Sequence, residues 1–239
     1  MAKAAVPGRV KTRLTRGPDA DRLTPEQAAG VHAAMLDTVL QRLADHVTGP
    51  DGGPPALVLA MDDPAGAPPA PGWTVVEQGP GDLGQRLERV WRDCRARNGT
   101  EAAVFFGVDS PDVPAEVLRQ IGPALNHTRA AVGPVEDGGY WTLACGLFAP
   151  ALLRGIDWGT PAVYDQTVRA ADVLGLELTA LPTWHDVDEP SDLAALRRRL
   201  AAASEPGEPA LRRLARHLDT LLLPAPGNPG TPGNPGNPR

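Results

Sequence analysis

Cysteine is nearly absent from this chain. Only Cys94 and Cys145 occur in 239 residues. Both lie in apolar patterns, which reads as reduced core thiols and excludes a disulfide framework. Neither stands at metal-site spacing from a histidine, so a zinc module is excluded too. Long hydrophobic runs are also missing. No stretch of 18 apolar residues exists, so no transmembrane helix is expected. The start of the chain lacks the apolar segment of a secretory signal. The expectation is a soluble, cytoplasmic protein without a membrane span. Positive charge is in deficit as well: the formal net charge is −6, which argues against a general nucleic-acid binder.

That deficit is uneven. Residues 1–22 hold six basic side chains (Lys3, Arg9, Lys11, Arg13, Arg16, Arg22) against Asp19 and Asp21, a balance of +4 that leaves −10 for the rest. A cationic patch on an acidic protein suits a small anionic ligand. A solvated terminus would look the same, and composition alone favours that plainer reading. The length is enough for one α/β domain with a sizeable core and a tail.

The stretch around which the chain is organised is AAVFFGVDSPDVP, Ala102 to Pro114. Ala103 to Val108 has the length of a strand buried on both faces. Ser110-Pro111 forbids its continuation. A helix follows to about Asn126, with Asp112 as N-cap and Val117, Leu118, Ile121 and Leu125 on one face. Asp109 therefore falls at the carboxyl end of a core strand, where open parallel sheets bind ligands. A carboxylate there can hold a divalent cation that in turn holds phosphate oxygens. An aspartate capping the next helix is the equal alternative.

Other segments alternate strand and helix. VPGRVKTRL is a turn whose Gly8, Arg9, Lys11 and Arg13 suit phosphate wrapping, although its order is not that of a Walker A loop. Thr24, Pro25 and Gln27 open a long helix with a capping box. His32 and Asp37 on it read as surface or flank residues. Strands are expected over Ala56–Met61 and Trp73–Glu77. Asp82 and Gln85 then cap a helix carrying Arg86 near its start and Leu83, Leu87, Val90, Trp91 and Cys94 on its core face. Ala130–Val135 and Trp141–Cys145 flank Glu136-Asp137-Gly138-Gly139-Tyr140, which by itself reads as a hairpin turn. Asp157 to Pro161 caps a helix over Ala162–Leu174 that ends at Gly175. Leu176–Leu181 is a strand. In WHDVDEPSDLAAL, Asp186 and Asp188 point the same way if the segment is extended, and a helix follows to about Ala203. His185 is a neighbour there, not a metal ligand.

The resulting expectation is a three-layer α/β/α sandwich with a mostly parallel, Rossmann-like sheet. Its domain occupies residues 1–205. An amphipathic helix over 206–223 packs either on that domain or on a second subunit in a homodimer. A Pro/Gly/Asn repeat over 224–239 reads as a disordered tail.

Taken in order, VPGRVKTRL, QGPGDLGQRL, FFGVDSPDVP, GPVEDGGYW, WGTPAVYDQT and DVDEPSDL resemble the GT-A-like nucleotide-diphospho-sugar transferases. They are similar, more narrowly, to small bacterial arsenosugar-biosynthesis-type glycosyltransferases. A more distant likeness is to phospholactate and molybdenum-cofactor guanylyltransferases and CMP-sugar synthetases. The resemblance covers roughly Lys3 to Leu196. It implies that Lys11 and Arg13, with Gly8 and Arg86, bind the nucleotide phosphates. It implies that Asp109 and Asp188 hold Mg²⁺ or Mn²⁺, and that Gly138, Gly139 and Tyr140 line the acceptor-side turn. Asp137 is the candidate base toward a small-molecule acceptor. The implied substrate is a nucleotide-sugar. The alternatives are an NTP, with nucleotidyl transfer and release of pyrophosphate, or a non-catalytic nucleotide-binding module. Such proteins begin with a full apolar strand before the basic loop, whereas only Met1 to Val6 precede it here; the expectation is a start upstream of Met1 or an alternative initiation site, the other reading being a defective copy.

Overall fold

A computed structural model of the chain describes residues 1–16, 22–125, 129–202 and 208–222. The tail expected over 224–239, the helix end near Asn126, and Asp19 and Asp21 lie outside the described residues. Among the described residues, six strands and six α-helices follow in the order α1 (Pro25–His46), β1 (Val58–Met61), β2 (Thr74–Glu77), α2 (Leu83–Asn98), β3 (Ala103–Phe106), α3 (Ala115–Ile121), β4 (Arg129–Pro134), β5 (Tyr140–Cys145), α4 (Val163–Val173), β6 (Glu177–Ala180), α5 (Pro190–Ala202) and α6 (Pro209–Leu221).

The helix starts obey local chemistry. In α1 the Thr24 side chain accepts from the Gln27 amide while Gln27 returns a bond to the Thr24 amide. Asp82 and Gln85 repeat this box at α2. Each box satisfies two amides that a helix start otherwise leaves unpaired. The helix start expected at Asp157–Pro161 is built differently. α4 begins after Ala162 with no side-chain cap; instead the Asp157 amide donates to Gln166 Oε1, and the Asp157 carboxylate accepts from Gln166 Nε2. Gly175 does follow α4 with φ +67, a left-handed conformation that favours glycine.

The strands form a parallel pair β1-β2 and a four-stranded sheet in the order β3-β5-β4-β6. β5 runs antiparallel to both β3 and β4, and β6 runs parallel to β4. Within this sheet β3, β4 and β6 therefore point one way and only β5 reverses. The turn joining β4 to β5 is the hairpin that Asp137-Gly138 signals.

Alternation along β4 separates the two faces. Ala131 packs with Val117, Leu118 and Ile121 of α3. Ala130 and Val132 pack on the other side with Leu87 and Trp91 of α2 and Ala171 of α4. Helices thus cover both faces, as the three-layer expectation requires. The C-terminal helix docks on its own chain: Leu214 and Leu218 of α6 are buried against Val31 and Met35 of α1 and Leu196 of α5.

Two sequence expectations fail here for one reason each. Asp112 does not cap α3, whose N-cap is Pro114. Its carboxylate is buried and paired with Arg199 at 2.6 Å and Trp184 Nε1 at 3.1 Å, tying the loop after β3 to α5 and to the loop before it. The strand expected to be buried on both faces, β3, leaves Val104 37% exposed, because only one of its edges has a partner strand.

Candidate active site

The site lies beyond the carboxyl ends of β3, β4 and β6, the rim at which such sheets take ligands. Three segments converge on it. Leu14 of the basic loop and Val187 of the loop before α5 are both fully buried in the cluster formed by α1, α5 and α6. These anchors fix the neighbouring charged residues. The Val187 amide also donates to Asp109 O at 3.0 Å, so the two aspartate-bearing loops are stitched to each other directly. Asp192 holds the second loop by accepting from the amides of Asp188 and Glu189 at 3.1 and 2.7 Å.

Lys11 occupies the middle. Its side chain is only 5% exposed, and its ammonium lies 2.5 Å from Asp109 Oδ1 and 3.1 Å from Asp188 Oδ1. It also donates to Val187 O. Arg13 reaches Asp188 Oδ2 at 3.3 Å from the solvent side. The two aspartates, far apart in the chain, thus share one cation. Burial alone would lower the Lys11 pKa, but the Asp109 and Asp188 carboxylates outweigh it and the net shift is upward. Lys11 is also the one described non-glycine residue with positive φ, at 46°. A left-handed backbone at a branched-Cβ-free but bulky residue costs energy and persists only where its surroundings over-determine it.

Asp186 joins this cluster and carries the clearest sign of mutual repulsion. Its pKa rises to about 6, first through burial and then through the Asp137, Asp188 and Asp109 carboxylates. The sequence offered one hint of its place, its spacing from Asp188 in an extended segment. A group bound more tightly to its proton in the folded state favours folding at low pH, and that contribution is lost as pH rises through about 6. Asp186→Asn is therefore expected to stabilise the fold by about 1–2 kcal/mol at pH 8, discounted for partial exposure. The gain should vanish near pH 4. Urea melts at the two pH values check this.

The turn after β4 splits in role. Asp137 is exposed and accepts from the Gly139 amide at 2.9 Å, and Glu136 pairs with His185 at 3.3 Å. Gly138 is needed for packing: at φ +89 a Cβ there would stand 2.2 Å from Pro161 O. Tyr140, expected on the acceptor-side lining, is partly buried in the structure. Its ring meets Trp158 at 6.4 Å in the cluster of α2 and β5, and burial raises its hydroxyl pKa. It faces the core.

Arg86 also stands apart. It donates to Gln78 Oε1 and Asp82 O, each at 3.2 Å. Among the described residues no ion pair joins it to Asp109 or Asp188. Gly8, at φ +77, has open space around it, as a loop approached by a ligand requires. His32 is not a surface residue: it is buried with Nε2 on Lys3 O at 2.9 Å, and burial lowers its pKa.

Among the described residues no group of three or more His, Cys, Asp or Glu side chains is poised to hold a metal ion. The donor chemistry of Asp109 and Asp188 nevertheless fits magnesium or manganese. These are hard cations, commonly held by one or two carboxylates with the remaining positions left to water and substrate phosphate. The two carboxylates are 47% and 35% exposed, so such a ligand has access.

A family model described as an uncharacterized protein conserved in bacteria (DUF2064) matches residues 43–160, a span that includes Asp109 and Asp137. No curated protein matches the sequence. A crystal structure from Desulfovibrio desulfuricans G20, named "putative nucleotide-diphospho-sugar transferase", is 28% identical over 92% of this chain and 93% of its own, with a TM-score of 0.72. The two share one fold over nearly their full lengths. A nucleotidyl transferase from Methanothermobacter thermautotroptrophicus is 15% identical over 85% of this chain and 96% of its own, at a TM-score of 0.48, a similarity too slight to carry an argument.

Proposed function

We propose that the chain is a metal-dependent glycosyltransferase that takes a nucleotide-diphosphate sugar as donor and a small molecule as acceptor. The observation that supports this most is the single ammonium of Lys11 held between Asp109 and Asp188 at the sheet rim. Two carboxylates with a buried cation and an exposed Arg13 beside them offer both signs of charge to a metal diphosphate. The likeness to the Desulfovibrio protein points to the same class of donor.

In this reading Asp109 and Asp188 hold Mg²⁺ or Mn²⁺, which supplies charge neutralisation to the diphosphate leaving group. Arg13, on the solvent side of the pair, binds its remaining phosphate oxygens, while Lys11 holds the two carboxylates together and adds its positive charge close by. The bond between the anomeric carbon and the phosphate oxygen breaks, and the nucleoside diphosphate leaves with the electron pair. The acceptor oxygen bonds to that carbon, and its proton passes to Asp137, the exposed carboxylate of the turn beside the cluster. Asp186, half-buried among the other three carboxylates, adds negative potential that favours a divalent ion at this place.

Incubation with a panel of nucleotide-sugars and Mn²⁺ tests the reading, with water serving as a slow acceptor. Release of nucleoside diphosphate is the expected result. Pyrophosphate released from NTPs, with nucleotide-sugars inert, would assign nucleotidyl transfer to the same residues instead. Nucleotide binding without either product would leave a binding module and overturn the enzyme.

A further inference from the structure

Arg42 is a charge placed where charge is costly. It stands on α1, and its side chain is only 3% exposed. A buried guanidinium has to give its N–H groups to acceptors. Arg42 gives Nε to Glu208, whose carboxylate also meets His46 Nε2. It gives Nη1 to Pro111 O at 2.7 Å. One side chain thus joins three parts of the chain: the second half of α1, the residue before α6, and the loop that follows β3.

That loop carries Asp109. Ser110 to Val113 are buried yet form neither helix nor strand, so no ladder fixes their backbone. Bonds from elsewhere fix it instead. The Val187 amide reaches Asp109 O, and Arg199 and Trp184 hold the Asp112 carboxylate. These tie the loop to α5 and to the segment of Asp188. Arg42 ties it to α1. The same helix anchors the basic loop, because Leu14 packs in one cluster with Val31 and Met35. Arg42 follows Met35 by about two helical turns. α1 therefore spans from the anchor of Lys11 to an anchor of Asp109, and the charges of those two residues meet at 2.5 Å.

A buried ion pair is a weak source of stability, since two well-packed apolar side chains often do as well or better. What Arg42 adds is direction: a rigid fork of N–H groups, one of them aimed at a single carbonyl. We propose that Arg42 is a positioning residue for Asp109, fixing it against Lys11 by tying Pro111 O to α1. Glu208 holds the guanidinium in line, which makes the start of α6 part of the framework of the site. The consequence for metal binding rests on the proposed function; the consequence for the loop does not.

The double variant Arg42→Met/Glu208→Met tests this. It removes both charges together, so neither stays buried alone, and it takes the donor away from Pro111 O. Tm should stay close to that of the parent. Amide hydrogen exchange over residues 107–113 should speed up by about tenfold, with no change over residues 130–134. Uptake of Mn²⁺ in the presence of a nucleoside diphosphate, read by electron paramagnetic resonance, should weaken by about tenfold, a usual cost of losing a group that orients a metal ligand. Arg197→Met breaks the exposed pair with Asp219 of α6 and leaves Arg42 untouched, so it should change neither. Should the double variant not fold, Arg42→Lys, which keeps the charge beside Glu208 but not the fork, is read in the same way. Unchanged exchange over residues 107–113 would overturn the proposal. So would faster exchange with Mn²⁺ uptake equal to the parent's, or an equal change in Arg197→Met. If the parent itself takes up no Mn²⁺ with the nucleotide, the proposed function fails, and exchange alone decides whether Arg42 holds the loop.

Discussion

Asp109→Asn should lower kcat/KM for nucleotide-sugar turnover by about a thousandfold, on the order of 4 kcal/mol of transition-state stabilisation. The substitution keeps the shape of the side chain and removes its charge. Asp109 is 47% exposed, so the fold does not depend on desolvating it. The loop it stands on is held by other bonds, among them Val187 N to Asp109 O and Asp112 to Arg199. Lys11 loses one of its two carboxylate partners but keeps Asp188, so Tm should fall modestly with the circular dichroism spectrum unchanged, while turnover collapses. Steady-state kinetics on folded variant and parent separate the two effects. A variant that turns over normally, with unchanged metal dependence, would remove Asp109 from the mechanism.

The second large effect is expected at Lys11. Lys11→Met keeps the length and apolar stem and deletes the ammonium. Asp109 and Asp188, with Asp186 beside them, then face one another without the cation that the first two share. Breaking a buried pair from one side is costly because the remaining charge stays desolvated. Here the carboxylates are partly exposed, so a loss of about 2 kcal/mol at neutral pH is expected. The sign with pH follows from the direction of the Lys11 shift. Its pKa is raised above 10.5, so its contribution is complete below that value and is lost as pH rises through the higher folded value. At the acidic end the variant should recover relative to the parent as the carboxylates take up protons. Urea titrations across the pH range check both limbs, and turnover should be lost in the same variant.

Much of this was legible in the order of residues. The capping boxes at Thr24 and Asp82, the Asp137-Gly138 hairpin and the glycine after α4 are local signals, and local signals survive folding. The meeting of Asp109 with Asp188 was also readable, since both follow strands that point the same way and ligands gather at that rim. What the sequence hid depends on partners distant in the chain. Asp112 stands where an N-cap would, and only the tertiary fold brings Arg199 and Trp184 to it. Tyr140 follows two glycines in a turn, yet strand β5 turns its ring into the core. His32 lies on α1, and nothing local indicates that Lys3 O waits for its imidazole. The exposure of Val104 was unreadable for a different reason: its residue pattern is that of a fully paired central strand, and the unpaired edge is a property of the assembled sheet.

The central claim is that Asp109, Asp188 and Lys11 make one site for a divalent ion and a nucleoside diphosphate. Electron paramagnetic resonance of free Mn²⁺, titrated with the protein in the presence of a nucleoside diphosphate, tests it most directly. The account predicts one Mn²⁺ taken up per chain only when the nucleotide is present, with uptake abolished in both Asp109→Asn and Asp188→Asn. Equal uptake by the parent and the two variants, or uptake indifferent to the nucleotide, would contradict it.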